Sequence, residues 1–518
     1  MMIYVLLVII AILAGYLCYQ IRINGKKSNN HAENPVTVMA APSGKPVPKK
    51  RPVEKVPSLP WEETHVITEE FQHIRELVCR GEKFILVTGG AGTGKTTLIQ
   101  WLLEANVLPL TKIAVVSYTG IAALVCRGKT IHSFFSLPPS TLLPGTVFSN
   151  ISSTRASLFR HLELLIIDEI SMVRSDLMDG VDRRLRKARR SEEPFGGVPL
   201  LMVGDPCQLP PVVGPKERKL FSPVPGDEKF QLWESPWFFH AKVFSDRKMK
   251  GVLLTHTFRQ QDGSREYLDH LNKMRALSLT NRNQQEVIEY FNAHCFHEGM
   301  PLLDQAITIT FTNSQADEIN AEHLRTLPGP EHQFTARATG YFAGQKSTES
   351  KNQFTPKLPA PYTLVIKEGA QVMILVNDPE KRYVNGSLAT ILHIRDEDII
   401  VTLPGGLEVS LSPCEWVSED FIYNEQTEGI ERIIDGSYKQ YPVTLAWAFT
   451  AHKSQGKTLD RVNIITDQRS FASGQTYVAL SRTRRIEDMC LSAPLTPNNF
   501  VVDRELLRLR EFLKSDSE

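Results

Sequence analysis

Gly89-Gly90-Ala91-Gly92-Thr93-Gly94-Lys95-Thr96 fits the pattern G-x-x-x-x-G-K-[ST] without a mismatch, and its neighbours fit as well. Before it runs Phe84-Ile85-Leu86-Val87-Thr88, apolar, β-branched and of strand length. After it, Thr97-Leu98-Ile99-Gln100-Trp101-Leu102-Leu103 reads as the opening turns of a helix. Strand, Gly-rich turn and helix N-terminus are the context in which this motif cradles phosphates. Glycines let successive backbone N–H groups curl around a β-phosphate, and the helix N-terminus adds partial positive charge. The expected nucleotide-binding residues are therefore Gly89, Gly90, Ala91, Gly92, Thr93, Gly94, Lys95, Thr96 and Thr97. Lys95 is expected at the β- and γ-phosphates of ATP, and the Thr96 hydroxyl on Mg²⁺.

Moving outward, Leu164-Leu165-Ile166-Ile167-Asp168-Glu169 is a second buried strand that ends in two acids. In that position Asp168 is expected to hold Mg²⁺ through water and Glu169 to deprotonate the attacking water. Leu200-Leu201-Met202-Val203-Gly204-Asp205 is a third strand, and Gln208 lies just past its end, where a γ-phosphate sensor belongs. Parallel strands alternating with helices, with ligands at their carboxyl ends, make a doubly wound α/β domain. The helix before the third strand crowds together Arg183, Arg184, Arg186, Lys187, Arg189 and Arg190. That cluster suits a phosphate grip and equally a solvated helix face.

The second half repeats the theme without another P-loop. Ala306–Phe311, Val443–Phe449 and Val462–Thr466 read as buried strands. From about 330 to 440 the pattern shifts to short strands and Gly/Asn turns. Gln371–Leu375 and Leu388–Leu392 flank Asn385-Gly386, and Ile399–Leu403 precedes Pro404-Gly405-Gly406. This spells a small antiparallel barrel or sheet inserted in an α/β domain.

The formal net charge of +1 provides no global field for nucleic acid or membrane, so any basic surface is local. Seven cysteines are scattered with no C-x-x-C pair, which argues against a zinc ribbon or a disulfide framework. His294-Cys295-Phe296-His297 is a local metal-like cluster without a partner pair. Met1–Ile21 carries no charge and is long enough to span a bilayer. Arg22, Lys26 and Lys27 follow it, so the positive-inside rule places the rest of the chain in the cytoplasm. A cleavable signal would want a basic n-region and a small-x-small site, and neither is evident. The expectation is a single-pass, uncleaved membrane anchor. Asn24–Pro60, rich in Pro and Lys, is expected to be a tether with a mean span of roughly 35 Å.

Taken in order, the motifs resemble the PIF-one family of superfamily 1B DNA helicases, relatives of RecD. They are Gly89–Thr96, Thr130-Ile131-His132-Ser133-Phe134, Asp168-Glu169-Ile170-Ser171-Met172 and Gly204–Pro211. Thr257-Phe258-Arg259-Gln260, Thr312–Asp317, Ala451–Asp460 and Tyr477–Arg482 follow, and Pro194-Phe195-Gly196-Gly197 favours this family over general RecD-like proteins. The resemblance implies two RecA-like P-loop NTPase domains with ATP between them, a small β-barrel inserted in the second, and 5′-to-3′ movement on single-stranded DNA. The corresponding boundaries are 1–23 anchor, 24–61 linker, 62–250 first domain, 251–329 and 441–518 second domain, and 330–440 barrel. The resemblance also implies Arg259 and Arg482 as arginine fingers, and His132, Ser133, Phe134, His452, Lys453, Ser454 and Gln455 along the DNA, although Phe134 or Phe135 could equally be core. The implied partners are single-stranded and tailed duplex DNA, engaged by a monomer. A protein-stripping translocase and a membrane tether that uses ATP as a switch are the rival readings. In one departure, Phe71 stands where the family has an adenine-reading Gln, and Gln72 comes one residue late, about 100° around the helix.

Overall fold

The continuous apolar runs noted above become strands buried on both faces, as parallel sheets require. The computed structural model describes residues 66–514 apart from 105–107, 109–111, 139, 215–216, 222–230, 246–248, 259–264, 278–282, 300, 344–357, 381, 396, 428, 467–471 and 502. All of these belong to one unit, Leu59–Glu518.

Six strands form the first sheet: β1 (Phe84–Gly89), β2 (Ile113–Ser117), β3 (Lys129–Thr130), β4 (Leu164–Asp168), β5 (Leu200–Gly204) and β6 (Lys250–Leu254). All pairs are parallel, in the order β3-β2-β4-β5-β1-β6. Alternate side chains point to opposite faces. Leu86, Val116, Ile167 and Met202 join one core, while Val87, Val115, Ile166 and Val203 join the other. The second core is covered by Glu69–Cys79, which contributes Ile74, and by Lys95–Glu104, which contributes Leu98. Thr68 caps the former helix by accepting from Phe71 N–H. The register Thr88↔Gly204 and Ile167↔Met202 brings the ends of β1, β4 and β5 to one edge, so the three acid- and glycine-bearing turns meet there.

The second parallel sheet, order β18-β7-β19-β20, is preceded and interrupted by antiparallel structure. In chain order its strands and those of the insertion are β7 (Ile307–Thr310), β8 (His332–Thr335), β9 (Arg337–Ala338), β10 (Thr363–Ile366), β11 (Gln371–Ile374), β12 (Leu388–Ile394) and β13 (Ile399–Thr402). Then follow β14 (Glu408–Leu411), β15 (Cys414–Asn424), β16 (Gly429–Gln440), β17 (Val443–Leu445), β18 (Ala448–Thr450), β19 (Val462–Ile464) and β20 (Met489–Leu491). The insertion holds a five-stranded antiparallel sheet, β14-β13-β12-β11-β17, beside the pairs β8–β10 and β15–β16–β9.

Three boundaries differ from the sequence reading. β6 runs past residue 250 and pairs with β1, so the first domain extends to Leu254. Val443–Phe449 is two strands: β17 closes the insertion against β11, and β18 pairs with β7. The break is held by Gln371, whose amide donates to the Ala446 carbonyl at 2.8 Å, and by Asn320 Oδ1, which accepts from Trp447 and Ala448 N–H. The C-terminal helix Glu505–Lys514 returns to the first domain, where Leu506 and Leu509 enter the core beneath β1. Asp503 beside it accepts from Trp237 Nε1 at 2.7 Å.

The β15–β16 hairpin also reaches the first domain. Phe421, 2% exposed, enters that same core against Phe134, with ring centroids 5.7 Å apart. Arg155 grips Asp420 through both guanidinium nitrogens, and His161 stacks on Tyr423 at 3.7 Å. Buried Lys129 donates to Ser418 and Asp435 of the hairpin and lies over the Tyr341 ring.

The basic helix Ser175–Arg189 is a scaffold, which decides between the phosphate grip and the solvated face left open by the sequence in favour of neither. Arg183 donates to the Pro144 carbonyl, Arg184 to those of Phe135, Ser136 and Ser149, and Arg189 to those of Gly196 and Phe159. Arg186 pairs with Asp182, leaving Lys187 and Arg190 exposed. Among the described residues no helix is long and apolar enough to cross a membrane. The expected anchor and tether lie outside the described residues.

Candidate active site

The phosphate loop is shaped by glycines at positions where a side chain would be strained. Gly92 and Gly94 have φ near +80°, a region side chains disfavour. A Cβ at Gly94 would stand 2.7 Å from the Phe258 ring, and one at Gly89 2.5 Å from Thr93 Oγ1. Lys95 Nζ donates to the Gly89 and Gly90 carbonyls, each at 2.8 Å, so its charge sits inside the loop.

Asp168 ends β4, buried, and accepts from Cys126 Sγ at 3.2 Å and from Glu169 N–H at 2.9 Å. Glu169 adopts a left-handed backbone, φ 53°, which turns its carboxylate out of the strand line. Burial and then the Asp168 charge push the Glu169 carboxyl up to about 7, while Lys95 and Arg482 act the other way. Burial likewise pushes Asp168 up, opposed by Cys126, the Glu169 N–H and Lys95. A buried and a half-buried acid with raised proton affinity next to a lysine are a setting for a cation and a base. The donor set fits Mg²⁺: Thr96 offers a hydroxyl and Asp168 a carboxylate, both hard oxygen ligands lining one cleft. Few protein ligands is the normal arrangement for Mg²⁺, which keeps water and substrate phosphate. Among the described residues no cluster of three or more His, Cys, Asp or Glu could hold a metal by itself.

Groups from the second domain close over this edge. Tyr477 Oη accepts from Ala91 N–H at 3.1 Å. Gln455 Nε2 donates to Glu169 Oε2 at 3.3 Å, so a residue expected on the DNA touches the expected base. Gln208 is buried and donates to Asp205 Oδ2 at 3.2 Å. Arg275, from helix Arg265–Leu277, donates to Asp205 Oδ1 at 3.3 Å. Arg482 is 1% exposed, and its guanidinium donates to the carbonyls of Ser454, Lys457 and Val478 and to Ser481 Oγ. In this conformation it staples two motifs of its own domain. Arg259 lies outside the described residues. The sequence reading missed Arg275 and the contact of Tyr477 with Ala91. Arg275 sits on an ordinary amphipathic helix, and Tyr477, though inside a quoted motif, carries no local sign of its partner.

A cleft of about 2400 Å³ joins this edge to His132 and Ser133 of the first domain, His452 and Lys453 of the second, and Thr363 and Asn385 of the insertion. Burial lowers His132 to about 4, so at neutral pH it faces the cleft as a neutral ring. Two expected DNA contacts are corrected. Phe134 is 0% exposed, packed among Phe135, Phe159 and Phe421, and has no face for a base. Ser454 is 1% exposed and its hydroxyl donates to the Ala451 carbonyl. At the nucleoside end, Phe71 is fully buried against Trp101, and Gln72 is exposed to solvent.

Two parallel sheets meeting over a phosphate loop, an acid pair and a nucleic-acid-sized cleft define a two-domain P-loop NTPase motor. A PIF1-like helicase family model matches residues 65–285. The ATP-dependent DNA helicase Pif1 of Bdellovibrio bacteriovorus is 30% identical over 435 residues, 83% of this chain and 89% of that one. The crystal structure of Bacteroides sp Pif1 in complex with ADP-AlF4 superposes with a TM-score of 0.75 at 32% identity, over 88% of this chain and 98% of that one. The same Bacteroides helicase bound to ssDNA gives 0.61 at 32% identity, over 87% and 98%. The chain belongs to the PIF1-like helicase family.

Proposed function

We propose that this chain is an ATP-dependent DNA helicase that moves 5′-to-3′ on single-stranded DNA and unwinds duplex ahead of it. The observation that carries the coupling is the 3.3 Å contact from Gln455 to Glu169. Gln455 ends the turn that begins at His452 and Lys453 on the cleft wall, so movement of that turn is felt at the catalytic carboxylate. Glu169 accepts the proton of the attacking water, and Lys95 holds the β- and γ-phosphate oxygens. Gln208, Arg259 and Arg482 answer the γ-phosphate, Arg482 after releasing its carbonyl partners. Thr96 and Asp168 would hold Mg²⁺, which would supply neutralising charge to the phosphates. His132, Ser133, His452 and Lys453 are the DNA-facing donors. The N-terminal apolar segment anchors the motor, as a monomer, to the cytoplasmic face of a membrane.

The reaction is tested with full chain in detergent on matched duplexes bearing a 5′ or a 3′ tail. Unwinding of the 5′-tailed substrate alone is expected; unwinding of the 3′-tailed one would reverse the polarity. Flotation with liposomes, lost on deletion of residues 1–23, tests the anchor.

Base selectivity is expected to be low. A site that hydrogen-bonds its substrate rejects analogues by about 10⁴–10⁵, whereas an apolar pocket discriminates by only about 10–200-fold. With Phe71 buried and Gln72 turned to solvent, GTP should support hydrolysis within about 10-fold of ATP. A kcat/KM ratio above about 1000 in favour of ATP would show that another group reads adenine.

A further inference from the structure

Arg275 is placed where a structural arginine has little reason to be. It comes from the second domain, near the end of helix Arg265–Leu277, yet its side chain is 16% exposed and lies against the first domain's phosphate loop. A Cβ added to Gly90 would meet Tyr477 Oη at 3.5 Å and Arg275 Cδ at 3.7 Å, so these two side chains together cover that turn of the loop. Lys95 Nζ touches the carbonyl of the same Gly90, on the loop's inner side. Gly90 therefore marks the end of the loop at which the lysine meets β- and γ-phosphates.

The partners of Arg275 are few. Its Nη2 donates to Asp205 Oδ1 at 3.3 Å, a long bond for a charged pair. Its Nε is buried with no hydrogen-bond partner among the described residues. A guanidinium carries five donors in a fixed fork, and buried donors are normally satisfied. Asp205 is meanwhile shared, accepting also from Gln208 Nε2 and Cys207 N–H, each at 3.2 Å. An incompletely bonded arginine beside the phosphate-loop lysine, contributed by the second domain, has the properties of a group waiting for an anion.

We propose that Arg275 is a further catalytic residue: its guanidinium exchanges the Asp205 carboxylate for the γ-phosphate of bound ATP. It transfers no proton. It donates to a γ-oxygen while the water oxygen bonds to γ-phosphorus, the bridging P–O bond to ADP breaks and the water's proton goes to Glu169. Because Asp205 also holds Gln208, release of Arg275 reports the γ-phosphate to both domains. The proposal rests on the reading of Gly89–Thr96 as the triphosphate site.

The test compares the full chain, Arg275→Ala, Arg275→Lys and Asp205→Asn by equilibrium binding of a fluorescent ADP with and without aluminium fluoride, alongside DNA-stimulated kcat and KM. For Arg275→Ala, ADP affinity should stay within 2–3-fold of wild type, and the extra affinity conferred by aluminium fluoride should fall at least 10-fold. kcat should drop by about 10²–10³, toward the range of a lost arginine finger. Arg275→Lys, which keeps the charge without the fork, should fall between the two and guards against misfolding of the alanine variant. An unchanged ratio of the two affinities in both Arg275 variants, with Asp205→Asn reproducing any kcat loss, would make Arg275 a positioning residue and overturn the proposal. If the wild-type chain bound neither ADP nor its fluoride complex, the triphosphate site itself would fall, and this proposal with it.

Discussion

Glu169→Gln is expected to lower DNA-stimulated ATP hydrolysis by about 10²–10⁴-fold, the usual worth of a positioned general base. The substitution keeps the side chain's size and replaces a carboxylate by an amide that cannot take a proton. Its local cost is small because the new carbonyl oxygen can still accept from Gln455 Nε2, the contact now made at 3.3 Å. Removal of a charge beside buried Asp168 even relieves a repulsion, since Asp168 is a main reason the Glu169 carboxyl stands at about 7. ATP binding should therefore hold or tighten, and single-stranded DNA binding should persist. Unwinding should disappear with hydrolysis. The measurement is kcat with saturating DNA beside nucleotide affinity on the same preparation. Hydrolysis above about a tenth of the wild-type rate would move the base to another group.

The second large effect concerns packing. Phe421→Ala is expected to destabilise the docked β15–β16 hairpin by about 3–5 kcal/mol, the range for emptying a buried aromatic site. The ring is 2% exposed and touches Phe134 from a different domain. The polar contacts around it are weaker supports. Arg155 and Asp420 form a two-pronged pair with 16% and 18% of their side chains exposed, and the cost of taking both charges out of water offsets much of their attraction. Lys129 is buried, but Asp435 opposite keeps 26% of its side chain in water, which softens the loss of that pair. Hydrogen exchange locates the effect: amides of 414–440 should exchange faster, while β1, β4 and β5 keep their protection. Because Phe134 lies in the helix Ile131–Phe135 that carries His132 and Ser133, single-stranded DNA affinity should fall as well. Unchanged exchange in the hairpin would mean that the ion pairs and the His161–Tyr423 stack hold it unaided.

The two predictions differ in how much of them the chain displays. Glu169 is visible locally: an apolar run, two acids at its end and a P-loop upstream leave little room for another role. Phe421 is one apolar residue in an alternating strand, and nothing near it in sequence names Phe134. Phe134 stayed open between two readings for the same reason, because an aromatic beside His132 and Ser133 suits base stacking as well as it suits a core. The arginines of Ser175–Arg189 likewise left two readings open. Six cations in a row of turns look like a phosphate surface until Pro144, Phe135, Ser149 and Gly196 present their carbonyls.

What the amino-acid order determined by itself is the chemistry at the strand ends and the two-sheet plan, because both depend on near neighbours. Glycine spacing sets a backbone path, and unbroken apolar runs demand burial on two faces. What tertiary structure alone decided is which distant groups share a contact: Gln455 with Glu169, Tyr477 with Ala91, Arg275 with Asp205, Phe421 with Phe134. These pairs are up to hundreds of residues apart, as in the separation of 386 between Ala91 and Tyr477. Their partners are chosen by shape and by unsatisfied donors once the domains have packed, and neither property has a period or a motif that a linear chain could display.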